Sequence, residues 1–148
     1  MGKITDHFVA ESFGRILVIA GRRGEKVHDL IERKLAEEGI RNAVVLSGVA
    51  TFQKFQYHHV KNADQNPFDE IRTTNGAFEV ASIQGVIIDG KAHLHASGQD
   101  HYTTIIAHLE RDTEILYLAE IVVAELKLDK KVSRIKVEEG VNLFEVEE

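Results

Sequence analysis

The chain has 148 residues, 43% hydrophobic content and a formal charge of −6, from 24 acidic against 18 basic residues. This is the size of one ordinary domain, so one unit over 1–148 is expected, with enough apolar side chains to close a core. The net charge runs against the footprint of a dedicated nucleic-acid binder, and the lack of cysteine excludes disulfides, thiolate metal sites and cysteine nucleophiles. No stretch approaches the roughly 18 uninterrupted apolar residues of a membrane helix, and the N-terminus lacks the basic-then-apolar layout of a signal peptide. A cytoplasmic protein with no membrane partner is expected.

Taken in chain order, the first β-branched run, Arg15 to Ala20, reads as a buried strand. A Gly-bounded turn follows, then a helix in which Val27, Leu30, Ile31 and Leu35 recur at three-to-four spacing and Gly39 supplies the stop. Gly21 to Gly24 does not form a phosphate loop, because neither the Gly-Lys-Ser/Thr ending nor three spaced glycines is present. From Asn42 the chain looks extended through "NAVVLSGVA" and "FQKFQYHHV", and a loop is expected around Pro67, the sole proline. Phe78, Val80 and Ser82, then Val86 and Ile88, predict strands separated at Gly85, with a hairpin turn at Asp89-Gly90. "YTTIIAHL" reads as extended, whereas "EILYLAEIVVAELKL" fits either a strand or a short helix leading into one. The last twenty residues supply a final strand or a solvated tail. The fold class is α+β: an antiparallel sheet with one principal amphipathic helix and room for a minor one.

Four of the eight histidines fall between Lys91 and Leu109. His93 and His95 are two apart on a predicted strand, so they share a face at about 7 Å along the pleat. An even loop centred between Asp100 and His101 pairs position 93 with 108 and 95 with 106, which brings His108 directly across from His93, about 5 Å away. Three imidazoles with an open fourth position suit zinc or a similar divalent transition metal better than calcium or magnesium. Because ligation needs neutral imidazole, binding is expected to weaken below about pH 6. His101 lies in the predicted turn; His58 and His59, being adjacent, face opposite sides and cannot chelate as a pair. With His7 and His28 they read as surface or structural residues. Glu79 and Glu120, acids set among apolar residues, are candidate general bases, and no serine nucleophile motif is present. The basic clusters, Arg22, Arg23 and Lys26, then Lys127, Lys130 and Lys131, are too short to track phosphates.

The segments "GRILVIAGRRGEKVHDLIERKLAEEGI", "AVVLSGVATF", "GAFEVASIQGVI", "HLHAS", "AHL" and "AEIVVAEL", in this order, resemble the plant-and-prokaryote conserved (PPC) domain family over Ser12 to Leu128. The specific combination is Gly-x-Phe-Glu, then His-x-His, then a further His-Leu. The resemblance implies an antiparallel sheet with packed helices, a homotrimer, and the histidine cluster as a family feature; it also implies a DNA association. Two departures qualify it: Ile106 and Ala107 stand where the family commonly has Gly-Gly, and "GRRGE" is not the Arg-Gly-Arg core of the AT-hook found in plant members. The expectation is a metal-binding, homotrimeric PPC-type protein with a binding or regulatory role, weak DNA contact at most, and a small-molecule ligand at the metal. The alternative is a metal-dependent enzyme acting on water or a small carbonyl substrate. The apolar run Ile115 to Leu126 exceeds what one element face requires and suggests that a neighbouring subunit covers part of it.

Overall fold

In the computed structural model, which describes residues 2–64 and 69–147, nine strands and one helix follow one another along the chain. They are β1 (Lys3–Thr5), β2 (Ala10–Arg22), α1 (Val27–Glu37), β3 (Ala43–Val60), β4 (Asp69–Ile88), β5 (Lys91–Gln99), β6 (Thr104–Leu109), β7 (Glu114–Leu128), β8 (Val132–Glu138) and β9 (Val141–Val146). The loop expected around Pro67 lies outside the described residues. Among the described residues α1 is the one helix, so the room left for a minor helix is not used. No helix among the described residues is long and apolar enough to cross a membrane.

The helix forms where the three-to-four apolar spacing predicts it. Val27, Leu30, Ile31 and Leu35 are all buried against the sheet, and truncating Leu30, Ile31 or Leu35 to Ala costs about 2–5 kcal/mol. Its C-terminus closes at Gly39, where the amide of Ile40 donates to the Leu35 carbonyl at 2.9 Å. The ambiguous run Glu114–Leu128 is strand throughout. Its partners on both sides are long β-rich strands, β2 and β3, which pair its backbone along both edges and override any local helical preference.

The larger sheet has the order β2-β7-β3-β4-β5-β6, all antiparallel, and β6 also pairs with β3. The pairings β3–β4, β4–β5, β5–β6 and β6–β3 therefore form a closed circuit. Inside it lie Phe52, Phe55, Phe78, Ile83, Leu94 and Leu109, with Phe55 edge-on to both Phe52 and Phe78. A three-stranded sheet, β1-β9-β8, packs through Val132, Val146 and Phe144 onto Ile88 and Val86 of β4. The C-terminal twenty residues thus supply a hairpin rather than a solvated tail.

The extended reading from Asn42 is one strand, β3, whereas the strand separation expected at Gly85 is corrected: β4 runs unbroken through it. Gly85 does not end the strand because it adopts φ 149, a conformation open to glycine, and lets the carbonyl of His93 approach. The Asp89-Gly90 turn is as expected: both residues have positive φ, 52 and 75, the signature of a two-residue hairpin.

Candidate metal centre

β5 alternates strictly: Leu94 and Ala96 point into the core, and His93 and His95 point away from it. His108 lies on β6, between the buried Ala107 and Leu109. The register differs from the sequence expectation by two residues, for His95 faces His108 and Ser97 faces Ile106. The cause is Asp100, whose carboxylate accepts from the amides of Tyr102 (2.8 Å) and Thr103 (2.7 Å) and so centres the turn between His101 and Tyr102. A slip of one residue would have turned His108 to the other face; a slip of two keeps the face and makes His93 its diagonal neighbour.

The three imidazoles converge. Ring centroids are 4.9 Å apart for His93 and His108 and 5.3 Å for each of the other two pairs, and one potential ligand atom from each lies within 4.8 Å of the others. Crowding removes water from the rings, which lowers the basicity of His93 and His95; desolvation pushes His108 down to about 3. The guanidinium of Arg134 adds to the effect on His93. All three rings are therefore neutral at pH 7 and present the lone pairs that a borderline divalent cation takes. A zinc-class ion fits this donor set, and once bound it would supply Lewis acidity.

His58, read from the sequence as surface or structural, lies beside the cluster. It pairs across β3–β6 with His108, and their rings stack at 4.1 Å with 24° between planes. Its Nδ1 donates to the Glu110 carboxylate, and its Nε2 lies 3.7 Å from Asp69. His58, His108 and Glu110 form a second group whose potential ligand atoms lie within 4.8 Å of one another. Glu110, one residue past the end of β6, was missed, although its two-residue spacing from His108 was a signal that could have found it. His58 carried no such signal, because its position depends on the β3–β6 closure. His59 and His7 are exposed, and His101 is exposed in the turn. His28, by contrast, is buried on α1 with Nδ1 unpartnered, and burial pushes it down to about 4.

Glu79 and Glu120 do not join the cluster. Glu79 sits on β4 seven residues from Val86, the residue opposite His93, which at ~3.3 Å per residue is roughly 20 Å away. Glu120 lies on β7, which pairs with β2 and β3 and not with the histidine strands. Both are exposed.

The helix and the loop after β6 hold the hairpin in place. Glu32 of α1 accepts from the amide of Ala92 at 2.9 Å and from Arg111 at 2.7 Å, so one carboxylate joins the helix, the start of β5 and the loop beyond Glu110.

No curated protein matches this chain. Among solved structures, the PPC protein of Pyrococcus horikoshii is 25% identical, with a TM-score of 0.73 over 99% of this chain and 98% of its own. The metal-containing protein of Archaeoglobus fulgidus is 20% identical, with a TM-score of 0.75 over 97% of this chain and 100% of its own. A candidate DNA-binding protein of Bacteroides thetaiotaomicron is 16% identical, with a TM-score of 0.70 over 90% of this chain and 95% of its own. These likenesses match the long antiparallel strands and the single helix described above, and residues 9–127 match the profile of one family, which leaves β8 and β9 beyond the matched segment. The chain belongs to the Plants and Prokaryotes Conserved (PCC) domain family.

Proposed function

We propose that this protein binds one zinc-class divalent ion per chain through His93, His95 and His108, with a coordination position left for a small ligand, and that it acts as a homotrimeric binding or regulatory protein. The observation that carries the reading is the convergence of three neutral imidazoles, their potential ligand atoms within 4.8 Å, on a hairpin whose backbone is fixed from three sides. The metal-containing relative from Archaeoglobus supports it. Metal analysis of untagged protein tests it: about one ion per chain is expected, and His93→Ala/His95→Ala should lose it while His59→Ala keeps it. Stoichiometric metal in the double variant would mean that the cluster is structural.

The trimer reading is supported by a surface that takes in only part of the run the sequence suggested. Ile115, Ala119, Ile121, Val123 and Ala124 of the apolar run are used in the chain's own core. Among the exposed apolar residues are Phe13, Ile16 and Val18 on the edge strand β2, and beside them Tyr117 and Leu118 of the run on β7. Weak DNA contact at most is in keeping with the charge of −6 and with the pairing of Lys26, Lys127 and Lys131 to Asp112, Glu125 and Glu147.

The second reading is a metal-dependent enzyme acting on water or a small carbonyl compound. The hydrogen-bonded His58–Glu110 pair favours it, since it sets an imidazole and a carboxylate against the candidate ligand His108. Turnover of a carbonyl substrate panel by metal-loaded protein, lost in His58→Gln with metal content unchanged, distinguishes it from a binding role.

A further inference from the structure

Arg134 of β8 is half-buried beside the histidines and, among the described residues, has no carboxylate within 4.0 Å. Its Nη1 donates to the Lys91 carbonyl at 2.8 Å and its Nη2 to the Val86 carbonyl at 3.4 Å. Lys91 is two residues before His93 on the same strand, and Val86 is the residue directly opposite His93. Val86 and His93 therefore share a face, and it is on this face that the small sheet packs, with Phe144 under the guanidinium at 5.7 Å. The arginine is held rigidly by two carbonyls and a ring, and of its five N–H groups three remain for another acceptor.

The local charge is unbalanced. Three neutral imidazoles leave a divalent ion with both of its charges, and Arg134 adds a third. Glu110 and Asp69 face His58 beside His108 and offset part of this charge on that side, and Glu32 pairs with Arg111; among the described residues none of them lies within 4.0 Å of Arg134, whose own charge stays uncompensated. A site with this surplus of positive charge, a planar donor fork and an open metal position matches an oxyanion. We propose that Arg134, together with the metal at His93, His95 and His108, recognises the carboxylate or phosphate group of a small ligand. This rests on the metal reading above, and it gives β8, which lies beyond the family-matched segment, a part in choosing the ligand.

The test uses the whole chain as wild type, Arg134→Gln and Arg134→Lys, each loaded with zinc and assayed first for zinc content and then by calorimetric titration with oxalate and, separately, inorganic phosphate. Zinc content equal in all three is expected, with anion affinity about tenfold or more weaker in the Gln variant, the worth of one charge-assisted contact, and intermediate in the Lys variant. The anion bound more tightly by wild type identifies the ligand as an organic acid or a phosphate. Wild-type affinity in a zinc-loaded Gln variant, or no binding of either anion by zinc-loaded wild type, overturns the proposal while leaving the metal site standing. Failure of wild type to take up zinc overturns both. Should the Gln variant not fold, the Lys variant decides, because it keeps the charge and loses the fork; affinity equal to wild type then counts against Arg134.

Discussion

Desolvated imidazoles resist protonation, and here two of them do so for different ends. His108, held down to about 3, offers its lone pair to a metal far into acid. Desolvation lowers His93 and His95 as well, so the proton displaces a metal from the proposed triad only at a pH lower than the limit near 6 that an unperturbed imidazole sets. Zinc lost at pH 6 would show the rings to be better solvated than their packing implies. His28 belongs to neither candidate ligand group among the described residues and is buried on α1. Its ordinary value of 6.5 in the unfolded chain falls to about 4 on folding, so below pH 6.5 the unfolded state binds more protons and stability falls as pH drops through that window. The full effect is on the order of 3 kcal/mol. In metal-free protein His28→Leu should reduce the loss of urea resistance between pH 7 and pH 4.5 relative to wild type; an unchanged difference would place the acid sensitivity elsewhere.

At the scale of elements, periodicity was informative wherever burial is one-sided. The helix stripe from Val27 to Leu35 and the in-out alternation of β5 were legible because each residue's neighbour on the same element decides its face. The continuity of β4 was not legible, because Gly85 answers to a partner strand that local sequence does not reveal. A Cβ at Gly85 would lie 1.9 Å from the His93 carbonyl oxygen, a backbone atom that cannot step aside without moving the ligand strand. Gly85→Ala should therefore cost about 2–4 kcal/mol in a denaturant titration and weaken zinc binding in the molecules that still fold. Native stability with full zinc affinity would contradict that account. The turn register had the same character: an even loop was foreseeable, but its centre depended on the Asp100 carboxylate capping two particular amides.

For the whole molecule, what the sequence concealed was closure. His58 reaches the site only because β6 returns to β3, a contact between residues 50 positions apart in the chain, as in the pair His58 and His108. The histidine triad itself was legible, because two of its members share a strand and the third sits across a short hairpin. The unpaired side of β2 and its exposed Phe13, Ile16 and Val18 make the outer edge of the large sheet the natural place for subunit contact. Sedimentation at micromolar concentration should give three times the chain mass, and Val18→Lys should lower it; a monomer in the wild type would remove the trimer.

The closed circuit of β3, β4, β5 and β6 is held by backbone ladders and by an apolar core to which the three histidines contribute nothing. In small zinc-dependent domains ion capture and folding are one event, and chelators denature the protein. Here the two are separable. Stripping the ion with a chelator should leave far-ultraviolet dichroism and the slowly exchanging amides of β5 unchanged, and the ion should return without a lag. An ion held by the proposed triad would then be traded with the surroundings as freely as a soluble ligand, so that occupancy would report the free metal concentration instead of the history of folding.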